Sequence, residues 1–198
     1  FPHQIYKGSG AAIDNANLAS GYYTLTNEGT WQVHTFEDAI FPGQGILVKA
    51  IAPTVLTIVK SNLAASSESC EGERCMGSMS ISVEGDNGQD QAYVYFVRGN
   101  SMEKMGGFVA QEPSLWLRDN DKDYAIAHVD YVGESLEICF SSKQVGDFTL
   151  TVDRNEMVFE YLQLVDHVTG LTVDLLKRST YGFHATGQEP DARFSIRF

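Results

Sequence analysis

Asp119, Asp121 and Asp123 stand at alternate positions in "RDNDKDYAIAHVD", residues 118–130, and Asp130 closes the stretch. Carboxylates at positions one, three, five and twelve are how an EF-hand loop holds calcium. Two features oppose that chemistry here. The sixth position, where Gly makes the sharp turn, is Tyr124, and the flanks "SLWL" and "YAIAHVDY" read as strands rather than helices. A solvated turn accounts for the stretch without a metal, with Asp119, Asp121 and Asp123 as the metal candidates. "EGDNGQD" (84–90) reads as a second acidic turn.

Other reactive side chains are sparse. "CEGERC" leaves four residues between Cys70 and Cys75, close enough for a disulfide in an oxidising compartment if the Gly72 turn brings their Cβ atoms together. The alternative is two thiols in an exposed loop. Zinc would need four ligands, and no histidine pair lies nearby. Cys139 falls inside a strand and reads as a small packed residue. His3, His34, His128, His167 and His184 form no close pair of the HxH or HExxH kind. "GNSME" (99–103) lacks the closing Gly of a nucleophile elbow. A glycosidase needs only two carboxylates at a set distance, and among 26 acids the sequence singles out no pair. No catalytic residue and no cofactor are expected.

Trp31 and Trp116 are the ligand-binding candidates, because an indole face can stack on a sugar ring. Trp31 is in phase with Val33, which also suits a core position. Trp116 lies between Leu115 and Leu117 and so points away from both.

The chain has 198 residues and a formal charge of −12, with its 14 bases scattered. A nucleic-acid binder needs a dense basic face, so that class is set aside, as is docking on anionic lipid. No apolar run is long enough to span a bilayer. "FPHQIYKGSG" is not a signal peptide, and the abrupt start at Phe1-Pro2 reads as a mature product or a piece of something longer. Any export signal would then lie upstream.

The dominant period is two. Phe148, Leu150 and Val152 alternate with polar residues, as do Leu136, Ile138 and Phe140, and Phe194, Ile196 and Phe198. "YYTLT" (22–26), "WQVHT" (31–35), "ILVKA" (46–50), "VLTIV" (55–59), "SISVE" (80–84) and "AYVYFV" (92–97) read as further strands. "NEGT", "PGQG", "EGDNG" and "HVTG" supply the turns. The pattern predicts an all-β fold, an antiparallel sandwich of jelly-roll type, built from two packed β units. Residues 1–60 form the first, 61–75 a polar linker and 76–198 a fuller sandwich. Only "AAIDNANLA" (11–19) and "SMEKM" (101–105) offer a helical turn or two.

"VGDFTLTVDRNEMVFEYLQLVDHVTGLTVDLLKRSTYGFHATGQEPDARFSIRF" (145–198) resembles the closing segment of β-sandwich regions in large exported Bacteroidetes proteins. These are cargo of the type IX secretion route and surface proteins of the leucine-rich-repeat adhesin type. The matching positions are Gly146–Leu150, Asp166, Thr169-Gly170, Asp174-Leu175, Tyr181–Ala185 and Arg193–Phe198. "GYYTLTNEGTWQVHTFEDAIFPGQGILVKA" (21–50) is similar to an earlier segment of that family, one that usually follows an Asn-Pro-(Phe/Tyr) turn, with Phe1-Pro2 as its remnant. The resemblance covers about two thirds of the chain and is weakest over 98–123. Its shared residues are fold signals. It implies a non-catalytic, secreted or cell-surface module serving adhesion, display or spacing. Its partners would be other domains of a larger parent and a glycan, host or matrix protein. The other reading is a carbohydrate-binding module attached to a glycan-degrading or host-interacting protein.

Overall fold

The computed structural model describes residues 17–35, 38, 40, 44–54, 77–96, 99–106, 112–129, 135–155 and 157–198. Within them the two-residue period becomes thirteen strands and no helix. They are β1 (Gly21–Leu25), β2 (Trp31–Thr35), β3 (Ser78–Gly85), β4 (Gly88–Tyr95), β5 (Met102–Glu103), β6 (Ser114–Asp119) and β7 (Lys122–His128). The rest are β8 (Ser135–Ser141), β9 (Gly146–Asp153), β10 (Gln163–Asp166), β11 (Thr172–Asp174), β12 (Thr180–Ala185) and β13 (Phe194–Arg197).

β1 and β2 make a two-stranded ribbon, Leu25 opposite Trp31 and Tyr23 opposite Val33. The remaining strands form one sheet in the order β11-β10-β13-β8-β6-β7-β4-β3-β9-β12, with β5 added beside β7. Every pair is antiparallel except β4 and β7, which run parallel, so the wholly antiparallel ladder expected from the sequence has one exception. The sheet curls until it nearly closes into a barrel.

Its concave face is oily because alternate side chains of each strand share that face. Along β9, Phe148, Leu150 and Val152 are buried while Asp147, Thr149 and Asp153 face water. Four rings from four strands meet inside. Phe183 of β12 lies 5.0 Å from Phe140 of β8, 4.9 Å from Phe194 of β13 and 5.8 Å from Phe148 of β9. Strands far apart in the sheet order thus touch through aromatic edges and faces. A smaller cluster of Ala19, Tyr23, Val33, Met102, Ala125 and Ile126 seals the ribbon onto the outer side of β7.

Two expected elements differ. Residues 46–50 are no strand: the segment follows the free edge of β1 through isolated bridges, Leu47 to Tyr23 and Ala50 to Leu18. Between them the Gly21 N–H turns back onto the Ala19 carbonyl at 2.9 Å, which interrupts the ladder. The helical turn expected at 101–105 is instead the short strand β5. There Met102 is buried against the ribbon and the Tyr23 hydroxyl donates to the Glu103 carbonyl at 2.9 Å. The part of 11–19 that is described, residues 17–19, is not helical either. "VLTIV" (55–59), Cys70 and Cys75 lie outside the described residues.

Candidate functional site

The site begins in the loop between β1 and β2. Thr26 and Thr30 close it, the Thr26 N–H donating to the Thr30 carbonyl at 2.9 Å and their hydroxyls meeting at 2.7 Å. Gly29 takes a φ of 84°, which a glycine adopts without strain. The loop delivers Trp31 as the first residue of β2, half-buried, its ring edge-on to Tyr23 at 6.3 Å.

Facing it is β4. Alternation turns Ala92 and Val94 into the core and leaves Gln89, Gln91 and Tyr93 on the outer face. Gln91 reaches the ribbon, its Nε2 donating to the Val33 carbonyl at 3.5 Å. Between ribbon and sheet lies a cleft of about 260 Å³. Trp31, Gln32, Thr30 and Glu28 line it from the ribbon; Gln89, Gln91, Asn87, Ser82 and Glu112 line it from the sheet. Glu112 comes close because Gly88 has no side chain: a Cβ there would stand 2.5 Å from the Glu112 carbonyl oxygen. The Glu112 carboxylate also accepts from the Lys143 N–H at 2.7 Å.

Asp90, at the back of the cleft, occupies a core-facing position and is 6% exposed. Its Oδ2 accepts from the Leu115 N–H at 2.6 Å and from Lys104 Nζ. A carboxylate in the core phase of "GQDQAYVY" is the signal by which the sequence could have flagged this corner. Asn87 and Gln89 fall within the acidic turn read at 84–90, and Gln91 lies just beyond it, so the sequence singles out none of the three amides.

Among the described residues, Trp31 is therefore the one candidate from the sequence that lines the cleft. Trp116 sits elsewhere on the sheet, half-buried and directly opposite Cys139 on β8, with its indole N–H buried and unpartnered. Cys139 is fully buried, and burial pushes its thiol up to about 12, which keeps it protonated and poorly nucleophilic.

Asp119, Asp121 and Asp123 fall on the hairpin between β6 and β7. Asn120 and Asp121 hold φ of 49° and 60°, the two-residue turn with both centres left-handed. Asp123 is committed to Arg118, whose Nε donates to Oδ1 at 2.8 Å. Among the described residues no group of three His, Cys, Asp or Glu is arranged to hold a metal ion. The described histidines are parts of the sheet surface. His34 bonds Thr24 at 2.8 Å, His167 bonds Ser195 at 3.0 Å and His184 bonds Asp147 at 2.8 Å, while His128 stacks on Tyr95.

The most buried charges meet where the two ends of the sheet approach. Arg193 Nη1 donates to Glu189 Oε2 at 2.7 Å and to the His184 carbonyl of β12 at 3.0 Å, and Nη2 donates to Asp166 Oδ2 of β10 at 3.2 Å. The Tyr181 hydroxyl of β12 donates to the same Asp166 oxygen at 3.0 Å. Arg193 also lies over the Phe183 ring, 4.4 Å from its centroid. Burial pushes Asp166 up, but the Arg193 guanidinium, the Val168 N–H and the Tyr181 hydroxyl outweigh it and hold the carboxyl below its ordinary range. These groups face one another and clasp the two ends of the sheet together.

A second hollow, about 610 Å³, opens beside the link from β9 to β10, between Thr151, Asp153, Asn155, Val158 and Ser179. It offers an amide, a carboxylate and the Arg154 guanidinium, with Phe159 as its one aromatic ring among the described residues. No family model, no curated protein and no solved structure matches this chain.

Proposed function

We propose that the chain is a non-catalytic β module of an exported, cell-surface protein, serving adhesion, display or spacing of neighbouring domains. In this reading the curled sheet is a jelly-roll-like sandwich whose limbs are joined by the four-ring core. The observation that carries it is the use made of buried charge. Asp166, Glu189 and Arg193 tie β10, β12 and the approach to β13 together, and Asp90 pins β4 to β6 and Lys104. Of these groups only the buried Arg193 Nε lacks a partner, and carboxylates held in this way fix one geometry and offer a substrate little to react with. The polar outer face supports life in water, because a lipid-facing barrel carries the reverse alternation. The acidic surface supports solubility at a crowded cell boundary.

The similarity of Asp166, Tyr181 and Arg193 to positions shared by exported Bacteroidetes surface proteins supports the location. A carbohydrate-binding role is the second reading, favoured by the amide-rich cleft beside Trp31. Labelling of intact producing cells with an antibody to this chain tests the first. Surface labelling without permeabilisation is expected; labelling only after the envelope is opened would contradict it. Hydrolysis of glycan or peptide substrates by the purified chain, lost on replacing one carboxylate, would contradict the non-catalytic part.

A further inference from the structure

We infer that the cleft between β2 and β4 is a binding subsite for an uncharged sugar ring, with Trp31 as its apolar platform. The subsite rests on the carbohydrate-binding reading and names its residues and ligand class. A pyranose presents axial C–H groups on one face and hydroxyls around its rim. The matching protein surface is an aromatic ring beside groups that both donate and accept. Trp31 supplies the ring, and Asn87, Gln89 and Gln91 supply amides with both functions on one terminus. Glu28 and Glu112 add acceptors for hydroxyl protons.

Charge narrows the class. The described lining holds Glu28, Asp90 and Glu112 but neither Lys nor Arg. Lys104 pairs with Asp90 and Lys143 lies 4.0 Å from Glu112 just outside it, so the cleft is weakly negative in a chain that carries −12. Sulfated, sialylated and uronate sugars, like phosphates, are repelled from such a cleft, whereas neutral hexoses and N-acetylhexosamines are not. A volume near 260 Å³ sits just under the range of about 300–1,000 Å³ usual for drug-sized ligands, which suits one ring or the end of a chain.

The walls are also pre-positioned. The Gln91–Val33 bond spans the cleft, and the Tyr23 hydroxyl fixes the ribbon by donating to the Glu103 carbonyl and accepting from the Met105 N–H at 3.3 Å. Little ordering cost then falls on binding. A peptide strand added at a sheet edge would instead use backbone groups, and this cleft is lined by side-chain faces.

The test is an array of neutral and acidic oligosaccharides probed with the full chain, followed by titration of the best ligand into variants. Neutral glycans are expected to bind and acidic ones to be rejected. Trp31→Ala should weaken binding by about tenfold or more, Trp31→Phe should recover part of it, and Gln89→Ala should cost about threefold to tenfold. Trp116→Phe should leave affinity unchanged, and circular dichroism checks that each variant is folded. Binding confined to acidic glycans, or unchanged in Trp31→Ala and Gln89→Ala, would overturn the subsite. Binding of no glycan, with surface labelling and adherence to a host protein intact, would overturn the sugar assignment and leave the attachment reading standing.

Discussion

Arg193 and Asp166 form an ion pair at 3.2 Å with each side chain only 1% exposed. β10 and β12 lie near opposite ends of the strand order, and Asp166 of β10 also accepts the hydroxyl proton of Tyr181 on β12. One carboxylate oxygen therefore holds both ends of the sheet. Removing one partner leaves the other charged and dry. Arg193→Ala or Asp166→Ala should lower stability by about 3–5 kcal/mol, and Tyr181→Phe by about 1 kcal/mol. Urea denaturation of the three variants measures this. Equal, small losses in all three would show that the ends of the sheet are held by packing alone.

Acid should open the same clasp. Burial pushes Glu189 up, but the Thr186 N–H and hydroxyl and the Arg193 guanidinium outweigh it, so Glu189, like Asp166, titrates below its ordinary range in the folded chain. A depressed folded value means that the stabilisation is complete above the unfolded carboxylate pKa values, about 4. It drains away as pH falls through the lower folded values. Denaturation midpoints should be level near neutrality and fall steeply below about pH 4. In Asp166→Asn the acid fall should be shallower, and an unchanged slope would contradict the assignment.

Phe140 touches Phe148, Phe183 and Phe194, which come from three other strands. Phe140→Ala should cost about 3–5 kcal/mol, and Phe140→Leu markedly less, because a large side chain refills most of the space. Thermal melts of both variants separate a shared aromatic layer from a merely local contact. Equal destabilisation by Leu and Ala would favour the local one.

Much of this architecture was legible because a two-residue period fixes which face of a strand is wet. Phe148, Leu150 and Val152 went inward as their spacing required. Asp166, Thr169-Gly170, Tyr181 and Arg193 were read as fold signals. They do meet locally: the Gly170 N–H donates to the Asp166 carbonyl at 2.8 Å, and Asp166 binds Tyr181 and Arg193. Residues 101–105 were misread because the order there comes from tertiary burial of Met102, which no local period encodes. The cleft was half legible. Trp31 was visible as an aromatic, but Gln89 and Gln91 gain meaning only when the β1–β2 ribbon folds over β4, a long-range contact. Trp31 keeps phase with Val33 and still reaches the rim, because it is the first residue of its strand.

The Asn120-Asp121 turn makes a prediction about metal. Asp121 pays a conformational cost for its φ of 60° that glycine does not. Asp121→Gly should therefore raise stability by about 1 kcal/mol, and added calcium should leave the melting temperature of the native chain unchanged. A calcium-dependent rise abolished in Asp121→Gly would restore the metal reading of this loop.

The most direct single measurement is backbone and indole chemical-shift mapping of the full chain titrated with a neutral oligosaccharide. The expected perturbations centre on the Trp31 indole and the side-chain amides of Asn87, Gln89 and Gln91, with the Asp166–Arg193 region silent. Shifts that converge instead on Asp166, Glu189 and Arg193, accompanied by chemical change in the sugar, would contradict a clasp without chemistry and a cleft built for attachment.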